Sequence, residues 1–517
     1  MIRPARRPAA VVACLLVPVL LLAACAVPPK NQVALEDVGK SGSEAGGGLA
    51  AASGAPDGFE DYYAQPVEWS ECGGFECATV DAPLDWHEPG AGSIEIAMKK
   101  LPATTDDPQG SLLVNPGGPG ASGIGLVEST SNFGFRLRAE FDIVGFDPRG
   151  VGESTPVTCV DDEAKDEFLS TDYPDTDAGI AQQIEVIRDW GRACAENTGE
   201  LLGNVDTQSA ARDMDLLRAV LGDEKLNYLG YSYGTQLGAT YAGLFPGNAG
   251  RLVLDGAVDI TLTPDEVAAE QAVGFENALR AYVEDCLAGT ECPLGGPVDV
   301  ALQQIRAMVN DAAAHPIATS SGRVVTKKLA FYGVAMPLYN EANWSYLTTA
   351  LQEIFWEGKG DTLLLLADNY NDRNADGSFG SNSEEAFRAI NCADARATED
   401  LEEMKKLAAE IVEDAPTLGE SFGFSGVDCA DWPYPAAKRE FDLHAKGAAP
   451  IMVIGTTNDP ATPYRWSEAL AETLDSGFLV TYEGEGHTAY GRSNECINGA
   501  VEDYLVDGTI PDGELTC

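Results

Sequence analysis

Between Ser93 and Met98 apolar and polar side chains alternate, Ser93-Ile94-Glu95-Ile96-Ala97-Met98, the pattern of a strand with one buried face. Ala78-Thr79-Val80 precedes it as a further short strand. Beyond it the alternation gives way to short, largely apolar runs: Leu112-Leu113-Val114, Phe141-Asp142-Ile143-Val144-Gly145-Phe146, Leu226-Asn227-Tyr228-Leu229 and Leu252-Val253-Leu254. Runs of this kind belong to strands covered on both faces. Two helical stretches separate them, at about 178–195 and 207–222. The second carries Ala210, Met214, Leu217 and Leu221 on one stripe, opening at Thr207 and closing at Gly222. Strands alternating with helices predict an α/β fold whose mostly parallel sheet is covered by helices on both sides.

From about Thr261 to Ala448 the rhythm changes. Helical periodicity dominates there (265–286, 299–313, 343–357 and 384–412) and βα alternation disappears. Strand patterns return at 450–455 and 478–482, with a helix near 465–474 between them. The expected organisation is a core of residues 63–260 and 449–517 interrupted by a helical insertion, 261–448, with no internal repeat.

The N-terminal residues read differently. Met1-Ile2-Arg3-Pro4-Ala5-Arg6-Arg7 is basic, Ala9 to Leu22 is apolar but short for a membrane span, and Leu22-Ala23-Ala24 ends in small residues before Cys25. Residues 1–24 therefore read as an export signal. Cysteine directly after Leu-Ala-Ala resembles the bacterial lipoprotein signal, in which Cys25 is lipidated; the alternative is ordinary cleavage beside an incidental cysteine. Each buried acyl CH₂ contributes about 0.8 kcal/mol of membrane affinity. Residues 25–62, with Pro28-Pro29, Gly46-Gly47-Gly48 and Ser53-Gly54, have the composition of a flexible tether. A soluble domain outside the cytoplasm, held at the membrane through Cys25 and in part released, is the expected location.

The formal net charge is −49, and loss of the three arginines in residues 1–24 moves it to −52. Such a surface repels nucleic acid and anionic membranes, and suits solubility or salt. Of 12 cysteines, Cys14 lies in the signal and Cys25 at its end, leaving an even number for disulfides in an exported chain. Pairing neighbours in order joins Cys72 to Cys77, Cys159 to Cys194, Cys286 to Cys292, Cys392 to Cys429 and Cys496 to Cys517. Cys72 and Cys77 lack the company a zinc site needs, and no metal or cofactor is expected.

The chemistry centres on Gly230-Tyr231-Ser232-Tyr233-Gly234. A strand enters this pentapeptide and a small-residue helix leaves it, so Ser232 sits on a tight turn with its hydroxyl held out above the sheet edge. Gly419-Glu420-Ser421-Phe422-Gly423 matches the same pattern in a turn-rich stretch that reads as a loop, where no strand would aim Ser421. A serine hydroxyl needs a base, and the base needs an orienting acid. Among four histidines, His87, His315, His444 and His487, only His487 follows a strand directly, in Glu485-Gly486-His487-Thr488. Asp459, in Asn458-Asp459-Pro460-Ala461-Thr462-Pro463, follows the strand before. Ser232, Asp459 and His487 occur in the chain order of α/β-hydrolase triads. The loop Asn115-Pro116-Gly117-Gly118-Pro119-Gly120-Ala121-Ser122-Gly123 holds four glycines and two prolines, leaving its amides open. Amides of Gly118 and Tyr233 are the candidate oxyanion donors.

Together Asn115-Pro116-Gly117-Gly118-Pro119-Gly120, Asp147-Pro148-Arg149-Gly150-Val151-Gly152, the Ser232 pentapeptide, Asp459-Pro460-Ala461-Thr462-Pro463 and Gly486-His487 resemble the prolyl aminopeptidase family of α/β hydrolases, and within it the exported tripeptidyl aminopeptidases of Gram-positive bacteria. The resemblance spans about residues 63–517. Where other members have His-Gly-Gly-Pro-Gly, this chain has Asn115-Pro116 before the glycines. The resemblance implies an α/β-hydrolase fold with the helical insertion as a lid, and release of short peptides from substrates with a free N-terminus. Such an enzyme needs a carboxylate for the substrate ammonium; Glu270, Glu276 and Asp394 are candidates, though in so acidic a chain each reads more readily as a surface acid on a helix. A monomer is expected. An esterase or lipase acting on acyl esters of the envelope, and a lipid-anchored binding protein, remain as alternatives.

Overall fold

The computed structural model describes residues 54–174 and 176–517. The signal read over 1–24, Cys25 and the tether as far as residue 53 lie outside the described residues. Ten strands form one sheet: β1 (Ser70–Cys72), β2 (Phe75–Pro83), β3 (Ser93–Leu101), β4 (Ser111–Asn115), β5 (Asp142–Phe146), β6 (Leu226–Tyr231), β7 (Ala249–Asp255), and, after a two-residue-stranded hairpin β8 (Ile317–Ala318) and β9 (Val324–Val325), β10 (Ile451–Asn458), β11 (Gly477–Glu485) and β12 (Leu515–Thr516). Their spatial order is β1-β2-β3-β5-β4-β6-β7-β10-β11-β12. The pairs from β5 to β12 are parallel and those from β1 through β3 to β5 antiparallel. This is the mostly parallel, helix-covered sheet expected of an α/β hydrolase.

The apolar runs fill both faces. Leu113, Tyr228, Leu252, Leu254, Ile451 and Val453 join one core layer, while Leu112, Val114, Leu229, Val253, Met452 and Ile454 join the other. Adjacent residues point to opposite faces of a strand, so an unbroken run supplies both layers at once. Because β4, β6, β7, β10 and β11 are parallel, the loops that follow Asn115, Tyr231, Asp255, Asn458 and Glu485 all leave from one rim. Ligand chemistry in open α/β sheets collects there.

Between β7 and β10 the chain is almost wholly helical, with an apolar core of its own that includes Leu279, Tyr282, Ile305, Val334, Leu338, Leu351 and Leu363. Two helices there were not expected, Lys327–Leu338 and Asp361–Tyr370. The first is buried on most sides, so it has no polar stripe to reveal its period. The periodicity over 384–412 resolves into two helices, Ser383–Asp394 and Leu401–Asp414. Ala395 is extended, and Asp400 starts the second by accepting the Glu403 amide. Gly419–Ser421 is a single 3₁₀ turn in the turn-rich loop expected there, and no strand leads into it. The five disulfides are Cys72–Cys77, Cys159–Cys194, Cys286–Cys292, Cys392–Cys429 and Cys496–Cys517, the neighbour-in-order pairing. No described helix is long and apolar enough to cross a membrane.

One buried ion pair ties the second Gly-rich loop to the core. Arg149 donates through Nε and Nη2 to Asp213 at 2.7 and 2.6 Å, and to the carbonyls of Pro83, Leu84 and Asn204. Trp86 Nε1 donates to the same carboxylate at 3.0 Å. Both charged side chains are essentially inaccessible to solvent, at 0% and 1% exposure. Removing one partner leaves the other charge buried and unpaired. Arg149→Met is therefore expected to cost about 3–5 kcal/mol of stability, read as a lowered midpoint in chemical denaturation.

Candidate active site

β6 delivers Ser232 in a left-handed conformation, φ 55°, and the helix Tyr233–Leu244 starts at the next residue. A non-glycine residue held there stores on the order of 1–3 kcal/mol, which its surroundings must offset. They do so by close packing. A Cβ on Gly230 would lie 2.5 Å from the Gly234 carbonyl oxygen, and one on Gly234 would lie 2.9 Å from the Asn115 carbonyl oxygen. The Ser232 amide donates to the Asp255 carbonyl at 2.9 Å, and Thr235 donates to the Ser232 carbonyl through both N and Oγ1.

The loop after β4 presses on this turn. A Cβ on Gly117 would stand 2.5 Å from the Tyr231 carbonyl oxygen and 2.9 Å from Ser232 Cβ. The Gly117 amide is taken by Asn115 Oδ1 at 2.9 Å. Among the described residues no acceptor takes the amide of Gly118, and Tyr233 contributes the first, unpaired amide of its helix. These are the two donors singled out in the sequence. Asn382, at the head of the helix Ser383–Asp394, fastens the other Gly-rich loop. Its Nδ2 donates to the Gly150 and Val157 carbonyls, and its Oδ1 accepts from the Gly152 amide, each at 2.9 Å. The same helix packs so closely on Gly120 that a Cβ there would lie 2.8 Å from the Ser383 carbonyl oxygen.

Asp459 and His487 meet at the ends of β10 and β11. His487 Nδ1 lies 2.9 Å from both carboxylate oxygens of Asp459. The carboxylate also accepts from the amides of Ala461 and Thr462 at 2.9 Å and of Thr488 at 3.2 Å, and from Thr462 Oγ1 at 3.0 Å. With Nδ1–H donated to Asp459, His487 Nε2 is left as the free acceptor. Ser232 Oγ and His487 are not hydrogen-bonded to each other. They converge at Gly256: a Cβ there would stand 3.3 Å from His487 Cε1, and the preceding residue, Asp255, holds the Ser232 amide.

Three further residues shape the site and were missed in the sequence. Thr462 Oγ1 sits 3.3 Å from His487 Nδ1, three residues after Asp459; its closeness to the aspartate was the only signal. Asp255 accepts the amides of Ala489 and Tyr490 at 2.7–3.0 Å, and burial pushes its carboxyl up to about 6. Tyr339, from the helical insertion, accepts the His487 amide on its carbonyl at 2.8 Å and sets its ring edge-on to the imidazole, centroids 5.4 Å apart.

The three candidate ammonium ligands separate clearly. Both Glu276 oxygens are buried and occupied by Thr417, through its amide and hydroxyl at 2.8 Å. Glu270 is bound by Arg465 at 2.6 Å and by the Trp466 indole. Asp394 alone stands beside the Ser232 turn. It accepts from Thr207 N at 2.7 Å, Thr207 Oγ1 at 2.6 Å and Gln236 Nε2 at 3.2 Å, and Thr207 Oγ1 in turn pairs with the Tyr233 hydroxyl. Burial pushes the Asp394 carboxyl up to about 7.

The family described as TAP-like protein matches residues 415–517. Serine protease Hip1 of Mycobacterium tuberculosis is 36% identical over 483 residues, covering 88% of this chain and 91% of its own. Carboxylesterase B of the same species is 36% identical over 459 residues, covering 87% and 88%. Tripeptidyl aminopeptidase of Streptomyces coelicolor is 32% identical over 496 residues, covering 91% and 88%.

Proposed function

Because the chain belongs to the TAP-like α/β hydrolases and is a serine peptidase, we propose that it is an exported, lipid-anchored enzyme releasing short peptides, tripeptides above all, from free N-termini. The observation that carries this reading is the Asp459–His487 pair facing the Ser232 turn across one sheet rim. Ser232 Oγ bonds to the scissile carbonyl carbon as its proton passes to His487 Nε2, and Asp459 steadies the imidazolium. The carbonyl oxygen, now anionic, is held by the amides of Gly118 and Tyr233. The C–N bond then breaks, the leaving amine takes the proton from His487, and the acyl group stays on Ser232 as an ester. Water gives His487 a proton as its oxygen attacks that ester, and Oγ recovers the proton as the peptide acid departs. Residues 261–448 act as a lid over this rim, and Cys25, with its small-residue lead-in, serves as the lipid attachment.

Asp394 supplies the carboxylate for the substrate ammonium. Hydrogen bonds to charged groups contribute about 1.5–3 kcal/mol, so Asp394→Asn is expected to raise KM for a free-amine tripeptide arylamide by about 10-fold or more while leaving an N-acetylated analogue unaffected. A carboxyl raised to about 7 is neutral below that pH and cannot pair. KM for the free-amine substrate is accordingly expected to rise as pH falls through about 7. The decisive experiment compares the tripeptide arylamide with its N-acetyl form and with a short acyl ester. Hydrolysis of the ester with no hydrolysis of the free-amine peptide, or equal hydrolysis of the free-amine and N-acetyl peptides, overturns the aminopeptidase reading, the first in favour of an esterase, the activity named for one relative.

A further inference from the structure

The segment carrying His487 is held on all sides. Its amides go to Tyr339 O from His487, to Asp459 from Thr488, and to Asp255 from Ala489 and Tyr490. Its carbonyls turn the other way, toward one side chain. Arg492 Nε donates to the His487 carbonyl at 2.7 Å, Nη1 donates to the Glu485 carbonyl at 3.0 Å, and Nη2 donates to the Thr488 carbonyl, which also receives Thr456 Oγ1 at 3.0 Å. Among the described residues no other side chain reaches the His487 carbonyl. The charged groups around the guanidinium are Asp255, Asp459 and Glu341, with the Tyr482 ring 5.9 Å away.

We propose that Arg492 is a positioning residue for His487, fixing the backbone on which the imidazole turns by gripping three carbonyls with one planar fork. Lysine carries the same charge but has no fork, and cannot reach three oxygens in fixed directions. The reason for such a grip is geometric. The Asp459 pair sets how the imidazole turns on its side-chain bonds, but the place of the His487 Cα depends on the backbone grip, and a displacement of that Cα by about 1 Å costs on the order of 10²-fold in rate. Arg492 thus sets where Nε2 stands relative to Ser232 Oγ, without touching substrate. Its outer side, with Ser493, Tyr482, Asn340 and Trp344, lines a cavity of about 780 Å³. A small guanidinium can enter by that route when the side chain is cut back.

This inference rests on the serine-hydrolase reading, and its test keeps the two apart. If the parent protein fails to react with a fluorophosphonate, the hydrolase reading falls. With the parent reactive, Arg492→Lys is expected to stay folded at the assay temperature with a lowered Tm, to hold KM within about 2-fold, and to lose about 10-fold in both kcat and fluorophosphonate labelling rate. Arg492→Ala is expected to lose about 10²-fold, and millimolar methylguanidinium, added alone as the probe, should restore kcat along a saturable curve. Parental kcat and labelling in a folded R492K, or a folded R492A indifferent to methylguanidinium, overturns the proposal. Should R492A fail to fold, R492K decides alone.

Discussion

Ser232→Ala is expected to lower kcat by about 10⁶-fold while the protein keeps its fold. Among the described residues the hydroxyl has no hydrogen-bond partner, so its removal leaves none stranded. Alanine also inherits the same left-handed backbone and the same contacts with Gly117. What disappears is the proposed nucleophile; a residual rate is expected from the amides proposed to hold the oxyanion, those of Gly118 and Tyr233. Hydrolysis of a tripeptide arylamide and fluorophosphonate labelling both read the effect. A loss below about 10²-fold would mean that another nucleophile, Ser421 included, does the work.

The second large effect is expected at Asp459. Asparagine in its place should reduce kcat by about 10⁴-fold. The carboxylate accepts from His487 Nδ1, the amides of Ala461, Thr462 and Thr488, and Thr462 Oγ1. An amide group of the same shape must turn its NH₂ toward one of these donors. His487 Nδ1 lies 2.9 Å from both oxygens and each oxygen also takes a backbone amide, so in either orientation the NH₂ strands an amide at about 1–3 kcal/mol and, where it donates to Nδ1, forces the imidazole proton to Nε2 and removes the base. A kcat loss with an unchanged KM, together with a lowered Tm, checks both halves.

Much of this architecture is legible in the sequence because strand and motif coincide. Leu226–Tyr231 is a buried run whose end is marked by glycines on either side of Ser232, and the glycines are required by contacts of 2.5–2.9 Å. Asp459 and His487 can be placed together because each directly follows a strand, and parallel neighbours end at one edge. The contact between His487 and Tyr339 is not legible, since it joins a loop to the end of a helix that shows no polar stripe. Nor is the fate of Glu276, whose partner Thr417 lies far along the chain in a run of turns. The same holds for Arg492: nothing in a lone arginine after a loop foretells three carbonyls.

The helix Ser383–Asp394 meets both Gly-rich loops, at Gly120 and through Asn382, and is bonded by Cys392–Cys429 to the turns beyond it. The end of that helix is tied down as well, since Asp394 takes the Thr207 amide and hydroxyl at 2.7 and 2.6 Å. Head and tail are thus both stitched to the sheet domain, so this one helix of the insertion is riveted to the catalytic rim along its whole length.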